Sequence, residues 1–259
     1  VLGHTRTSVI DLAGGVQPMA AEEDGRTVAV ITYSGEIYNF RQLRSELEQR
    51  GHRFRTRSDT EVVLRSYLEW GEGCATHLEG MFAFGVWDLR AHKVVLVRDR
   101  LGIKPLFYIA DPGEVIFASE PKALLTHPST RAAVDLDGLR EMFSTAKQPG
   151  HAVFHGQREV RPGHVVTVSP AGMTERRYWG LEAREHTEDL DGTIDHIRSL
   201  QEDILLRVKL DTLSTKIREK ITKGTDEVDE KAISDYYNKN KTRFAQPERR
   251  DLRIVLTKD

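Results

Sequence analysis

Six short runs rich in β-branched and aromatic residues constrain the fold of this 259-residue chain more than any other feature. Each run is bounded by residues that favour turns, which is the pattern of β-strands in a folded domain. The runs are Thr27–Tyr33, Phe82–Asp88, Lys93–Arg98, Leu106–Ile109, Val115–Ser119 and Val165–Ser169. The chain is therefore expected to contain a substantial sheet within its first two hundred residues.

Helical segments alternate with these strands. The first, Phe40–Arg50, places Leu43 and Leu47 on one face. The second follows Ser58, where the pattern predicts a capping box. In that motif the Ser58 hydroxyl accepts the N3 amide proton and Glu61 returns to the cap amide. Antiparallel hairpins between helices predict an α+β fold of the layered sandwich type.

Composition limits the classes of partner. With 39% hydrophobic residues the chain has room for one large or two small domains. No apolar run approaches the ~20 residues of a membrane span, and no secretion signal is visible, so a cytoplasmic location and no membrane partner are expected. A formal net charge of -2 gives no footprint for nucleic acid, which is therefore not an expected partner.

Few side chains suit a metal or a disulfide. The single cysteine, Cys74, excludes an internal disulfide and a multi-cysteine zinc site, and its apolar surroundings predict a buried side chain. The ten histidines show no ligand spacing, so no metal site is predicted. Asp99, between Arg98 and Arg100, is predicted to be an ion-paired structural carboxylate.

The composition changes near Leu200. Residues 201–259 hold eight of the twelve lysines and no histidine, whereas residues 1–200 hold all ten histidines. Two domains, 1–200 and 201–259, are predicted from this change. The second is expected to be helical, because five apolar residues spaced by three and four form one face. These are Leu206, Leu210, Leu213, Ile217 and Ile221. An exposed face of this kind predicts self-association through the C-terminal helix.

The stretch Ser34-Gly35-Glu36-Ile37-Tyr38-Asn39-Phe40 and the helix start at Ser58–Glu61 belong to an ordered set of motifs. The others are Gly3–Leu12, Gln17–Met19, Gly80–Phe84 and Arg98–Leu106. In this order and at these spacings they resemble the glutaminase domain of glutamine-hydrolysing asparagine synthetase, a class II glutamine amidotransferase. The resemblance covers residues 1 to about 200. It implies a layered αββα sandwich of the N-terminal-nucleophile type, truncated at its N-terminus.

The resemblance also implies a glutamine pocket. Arg6 matches the arginine that holds the substrate carboxylate, a role suited to the guanidinium fork. Asp59 matches the carboxylate that pairs with the substrate ammonium, and Val9 and Ile10 match positions whose backbone faces glutamine. The residues alone favour a surface or structural salt bridge for Arg6. For Asp59 they indicate a first-turn helix charge, which is compatible with the binding role.

Three consecutive residues match the rest of the pocket. Gly35 and Glu36 match the family's glycine and glutamate, the glycine because a backbone amide must approach the substrate closely. Ser34 stands where the family commonly has asparagine, whose side-chain amide donates to the oxyanion. A serine hydroxyl would donate with a shorter reach.

The catalytic half of the resembled family has no match here. Its nucleophile is a cysteine at the N-terminus of the mature chain, with the α-amine as base, whereas this sequence begins Val1-Leu2-Gly3-His4. No catalytic residue is therefore assigned, and the chain is expected to be inactive. The Ser-Gly-Gly-x-Asp-Ser signature for ATP is absent, so no cofactor is expected in this chain; ATP and magnesium serve the family's synthetase domain. Weakly bound glutamine is the expected small-molecule partner.

The tail has its own resemblance. Residues Tyr236–Arg250 followed by Leu252–Leu256 are similar to the helical arm and first strand of parvulin-type foldases, which are peptidyl-prolyl isomerases and chaperones. Three hypotheses follow. The chain is a glutaminase-domain fragment of an asparagine synthetase, or a protein-interaction segment of the foldase kind, or a non-functional fusion of two gene fragments.

Overall fold

Nine β-strands carry the architecture of the described residues up to 181. The computed structural model describes residues 2–5, 11, 14–111, 113–143, 149–183, 185, 187–202 and 239. The strands are β1 (Met19–Glu23), β2 (Arg26–Ile37), β3 (Gly80–Asp88), β4 (Lys93–Arg98), β5 (Phe107–Asp111), β6 (Glu114–Ala118), β7 (Arg158–Glu159), β8 (His164–Ser169) and β9 (Gly172–Arg177). All six predicted strands are confirmed, as β2, β3, β4, β5, β6 and β8.

The strands form two antiparallel sheets. The larger has the order β1-β2-β3-β4-β8-β9, and the smaller has the order β6-β5-β7. Three strands were not predicted, and each depends on a neighbour. The β1 sequence MAAEE has little strand propensity and pairs along β2, while all six residues of β9 are exposed and pair only with β8.

Helices cover the outer faces of the two sheets. The helices α1 (Phe40–Gln49) and α2 (Asp59–Trp70) share a core cluster with the larger sheet, in which Leu47 and Val62 are fully buried. On the other face of that sheet, Leu96 and Val166 pack with Tyr108 of the smaller sheet. The short helix α3 (Pro121–Leu124) contacts β5 and β6. The layered α+β sandwich predicted from the sequence is therefore confirmed.

Two further helical segments complete the described elements. A 3₁₀ turn at Gly71–Thr76 follows α2, and α4 spans Leu136–Met142. The described residues from Glu182 belong to a second compact unit, which contains the helical residues 190–202. Among the described residues the first unit ends at Leu181, and the predicted boundary at residue 200 stays a prediction. The predicted helix through 206–221 lies outside the described residues.

The start of α2 differs from the predicted capping box. Ser58 is the N-cap, but its hydroxyl accepts from the Thr60 amide at N2 rather than from N3. Glu61 does not return to the cap amide. It accepts instead from the amides of Arg55 and Thr56, at 3.0 and 2.7 Å. The prediction of a capping box is therefore wrong in detail, because the backbone amides of the segment before Ser58 point toward the Glu61 carboxylate.

Candidate functional site

Strand β2 and the first turn of α2 bring together part of the predicted glutamine pocket. Ser34, Gly35 and Glu36 are consecutive residues of β2, and Asp59 is the first residue of α2. Arg6, Val9 and Ile10 lie outside the described residues. The site can therefore be described from β2 and α2, and the roles of all seven residues in glutamine binding stay predictions.

The Asp59 carboxylate lies against β2. Its Oδ2 accepts a hydrogen bond from the Tyr33 hydroxyl at 2.8 Å and is 3.4 Å from the Ile37 amide nitrogen. Its Oδ1 accepts from the Thr60 amide at 3.0 Å. Because Tyr33 and Ile37 lie on either side of Gly35 on the same face of the strand, Asp59 lies beside Gly35.

The Asp59 carboxylate is buried with no cationic partner among the described residues. Only 5% of the residue is exposed, and none of the ion pairs formed among the described residues includes it. The helix dipole at the start of α2 offsets part of the cost of burying this charge. A buried carboxylate is nevertheless normally paired, so the arrangement suits the cationic group of a ligand.

Tyr33 is the neutral partner in this arrangement. Its side chain is 3% exposed. Burial is the main cause that raises the pKa of Tyr33 far above its ordinary value, and the nearby charge of Asp59 is the second cause. The phenol is therefore protonated at neutral pH and donates to Asp59.

Gln17 fixes the backbone of Tyr33. Its Oε1 accepts from the Tyr33 amide at 2.6 Å, and its Nε2 donates to the Tyr33 carbonyl oxygen at 3.0 Å. The pairing of β1 with β2 ends at Met19 and Ile31, so this side chain replaces the backbone partner that Tyr33 would otherwise lack. Gln17 was noted in the sequence only as part of a motif, because its partner lies sixteen residues away.

Gly35 is required by a close approach of two strands. It has a φ of +145°, and a Cβ built there would lie 2.1 Å from the Met81 carbonyl oxygen of β3. Gly80 shows the reciprocal contact, since its Cβ would lie 2.1 Å from the carbonyl oxygen of Glu36. The family resemblance implies that Gly35 allows the close approach of a substrate. The structure provides a second reason, which is the approach of β3.

Ser34 lies on the opposite face of β2 from Tyr33. It lines a cavity of about 530 Å³ that both sheets border, with Thr32, Leu106 and Phe117. His4 also lines it, with its Nδ1 atom 3.1 Å from the Thr32 hydroxyl. Glu36, two residues after Ser34, is half-buried opposite Met81. Asp59 thus lies against one face of β2, and the Ser34 side chain lies on the other face.

Asp99 secures the strand that faces Gly35. Its carboxylate accepts from four backbone amides, those of Phe82, Leu101, Ile103 and Lys104, at 2.9 to 3.3 Å. Phe82 is the residue of β3 paired with Gly35. The structural role predicted for Asp99 agrees with this geometry. The predicted ion pair is wrong, because Asp99 forms none with the described residues.

Arg98 also binds the loop that follows β4. Its guanidinium donates to the carbonyl oxygens of Lys104, Val160 and Gly102, each at 2.8 Å, and pairs with Glu159 at 2.9 Å. The loop after β4 is therefore held by one buried anion and one buried cation, each bound mainly to backbone groups. The sequence did not predict that Asp99 would bind the amides of this loop and Arg98 its carbonyl oxygens.

Comparison with known proteins identifies the family. The glutamine amidotransferase domain family matches residues 1–179. The chain belongs to this family. Asparagine synthetase [glutamine-hydrolyzing] 3 of Bacillus subtilis (strain 168) is 46% identical over 209 residues, which are 80% of this chain and 34% of that relative. Amidase chry2 of Gibberella zeae is 32% identical over 212 residues, 81% of this chain and 31% of that relative.

The amidotransferase chain spans about a third of the length of these relatives. A glutamine phosphoribosylpyrophosphate amidotransferase from B. subtilis, complexed with ADP and GMP, has a TM-score of 0.46 and 23% identity, covering 66% of this chain and 33% of that chain. The foldase resemblance of residues 201–259 gains no support from these similarities and stays a prediction. Among the described residues of the amidotransferase chain, no helix is both long and apolar enough to cross a membrane.

The one thiol of these 259 residues does not suit the amidotransferase reaction. Cys74 lies in the 3₁₀ turn after α2 and is fully buried, as predicted. Burial raises the pKa of the Cys74 thiol to about 12, and the nearby Glu72 carboxylate adds to this effect. Because the thiolate is the nucleophilic form, Cys74 is a packing residue of the core.

This burial predicts an unreactive thiol. At pH 8 the folded chain is expected to react with a disulfide reagent such as DTNB at least about a hundredfold more slowly than the chain unfolded in urea, because both access and ionisation are suppressed. The reaction is followed by absorbance with and without denaturant. Equal rates in the two conditions would contradict the buried assignment.

Proposed function

We propose that residues 1–179 form the glutamine-binding part of a glutaminase, which in a longer protein delivers ammonia from glutamine to the formation of asparagine. Membership of the amidotransferase family supports the glutaminase activity, and relatives named glutamine-hydrolysing asparagine synthetases support the asparagine product. The observation that carries the binding role is the buried Asp59 carboxylate, which lies beside Gly35 and has no cationic partner among the described residues.

Each predicted site residue has a defined task in this proposal. Asp59 pairs with the α-ammonium of glutamine and Arg6 with its α-carboxylate, so the two ends of the substrate are held by opposite charges. The backbone of Val9 and Ile10 borders the substrate. Amide hydrolysis also requires donors for the tetrahedral oxyanion, and these are proposed to be the Ser34 hydroxyl and the Gly35 amide.

The remaining tasks concern Glu36 and the nucleophile. Glu36 follows Gly35 and contributes its carboxylate to the polar wall of the pocket. Cys74 is excluded as nucleophile by its burial, so the attacking thiol of the complete reaction comes from outside these 259 residues. Hydrolysis through a thiol needs no cofactor, and ATP and magnesium would serve only a synthetase step outside these residues. The predicted cytoplasmic location and self-association are not needed by this proposal.

Glutamine binding tests the proposal directly. Saturation-transfer NMR on the 259-residue chain is expected to detect L-glutamine, and to detect D-glutamine far more weakly, because a chiral pocket holds both ends of the substrate. In Asp59→Asn we expect about tenfold weaker binding, the usual effect of losing a charge-assisted hydrogen bond. The affinity of wild type is expected to be low.

The matched control is Asp24→Asn. Asp24 lies in the exposed turn between β1 and β2, with a φ of +50° that asparagine tolerates. The substitution removes the same charge at a distance from the site, so glutamine binding should not change. Unaltered binding in Asp59→Asn, or equal losses in the two variants, would contradict the assignment of Asp59.

A further inference from the structure

The Tyr33–Asp59 pair has a counterpart at the other end of α2. Tyr67 donates through its hydroxyl to Asp88 at 3.0 Å, and both tyrosines are almost fully buried. The two pairs differ in charge balance. Arg90 lies 3.5 Å from the Asp88 carboxylate and also donates its backbone amide at 2.9 Å, whereas Asp59 forms no ion pair among the described residues. One Tyr–Asp pair therefore has a cation beside it, and the other has none among the described residues.

We infer that Tyr33, held by Gln17, is a positioning residue that aims the Asp59 carboxylate at the ammonium group of glutamine. The inference rests on the proposed function and adds to it two residues that do not touch the substrate themselves.

The hydrogen bonds of Asp59 fix its orientation. A carboxylate can rotate about the bond to its Cβ, and donors on both oxygens stop this rotation. Oδ2 has the Tyr33 hydroxyl at 2.8 Å, and Oδ1 has the Thr60 amide at 3.0 Å. Each oxygen accepts about two hydrogen bonds. The second donor on each oxygen is long, with the Ile37 amide 3.4 Å from Oδ2 and the Ser58 hydroxyl 3.5 Å from Oδ1. Both oxygens therefore keep acceptor capacity for the N–H groups of an ammonium.

Gln17 makes this arrangement rigid. It holds the Tyr33 backbone on both its amide and its carbonyl group, and its Nε2 lies 3.4 Å from the hydroxyl of Thr60, the residue next to Asp59. Gln17 thus contacts both the strand that carries Tyr33 and the helix turn that carries Asp59. Hydrogen bonds of this kind allow supporting residues to set the geometry of a binding group.

The test compares two matched tyrosine variants with two ligands. Tyr33→Phe and Tyr67→Phe each remove one buried hydroxyl from an aspartate, at opposite ends of the same helix. L-glutamine and glutaramate, the same molecule without its amino group, are titrated into each 259-residue chain and followed by saturation-transfer NMR. Tryptophan fluorescence in urea reports whether each variant is folded, since Trp70, Trp87 and Trp179 all lie in the first unit.

We expect Tyr33→Phe to weaken L-glutamine binding about tenfold, since it removes a hydrogen bond to a charged group, and to change glutaramate binding less than about twofold. Tyr67→Phe should leave both ligands unaffected. Gln17→Met, which keeps the side-chain length, should reproduce the selective loss of L-glutamine binding. This variant tests the inference independently if the Tyr33→Phe chain does not fold.

Three results would contradict the inference. L-glutamine binding as tight in Tyr33→Phe as in wild type would remove the positioning role and leave the proposed function intact. Equal losses for L-glutamine and glutaramate would show that Tyr33 supports only the fold. A wild-type chain that binds no L-glutamine would overturn the proposed function, and the inference would fail with it.

Discussion

Replacing Gly35 with alanine is expected to lower the free energy of unfolding by about 3 kcal/mol or more, because the new methyl group meets backbone atoms that cannot rotate away. The Cβ would lie 2.1 Å from the Met81 carbonyl oxygen and 2.7 Å from the Phe82 Cα atom, at a φ of +145°. The β2 and β3 strands would have to separate beside Asp59. Urea unfolding followed by tryptophan fluorescence measures the loss.

Gly172→Ala is the control for this experiment. Gly172 has a φ of +126°, so alanine is strained there as well, but a Cβ at that position meets no atom within 4 Å. The difference between the two variants isolates the clash with β3. If Gly35→Ala loses no more stability than Gly172→Ala, the close approach of the two strands does not explain the glycine.

Replacing Asp99 with asparagine is expected to lower the free energy of unfolding by about 3 kcal/mol, a typical result of breaking a buried charged network. The four backbone amides around Asp99 need an acceptor on each of its two oxygens. Asparagine offers one oxygen and turns an amide group toward the other donors. Those amides stay buried without a partner.

Asp111→Asn is the matched control, because Asp111 is an exposed residue at the end of β5. It should change the free energy of unfolding by less than about 0.5 kcal/mol. An Asp99→Asn chain that unfolds at the same urea concentration as wild type would refute the anchoring role of this carboxylate. A loss of L-glutamine binding in a folded Asp99→Asn chain would connect the loop after β4 to the pocket through Phe82 and Gly35.

Much of the fold is visible in local patterns. The six runs of β-branched and aromatic residues became β2, β3, β4, β5, β6 and β8, and the leucine spacing in 40–50 became α1. These patterns predict well because strand and helix periodicity are properties of neighbouring residues. The strands β1, β7 and β9 could not be found in this way, since their sequences become strands only by pairing with a neighbour.

In the candidate site, too, motifs identified single residues but not the contacts between distant ones. Family resemblance indicated Asp59 and Gly35 by their positions in motifs; the structure places Asp59 beside Gly35, and their shared glutamine pocket stays a prediction. The resemblance could not show that Tyr33 donates to Asp59 or that Gln17 holds Tyr33, because these contacts join residues 26 and 16 positions apart. Local sequence patterns also misjudged the partners of Glu61 and Asp99, whose carboxylates bind backbone amides of nearby segments.

The sequence by itself determined the alternation of strands and helices, the burial of Cys74 and the family to which residues 1–179 belong. Only the tertiary structure decided which buried carboxylates have a cation beside them among the described residues. Asp88 has Arg90 beside it, Asp99 has four amides, and Asp59 has hydroxyl and amide donors but no cation among the described residues. Charge balance depends on distances of a few ångströms between residues far apart in the chain, and linear spacing does not encode those distances.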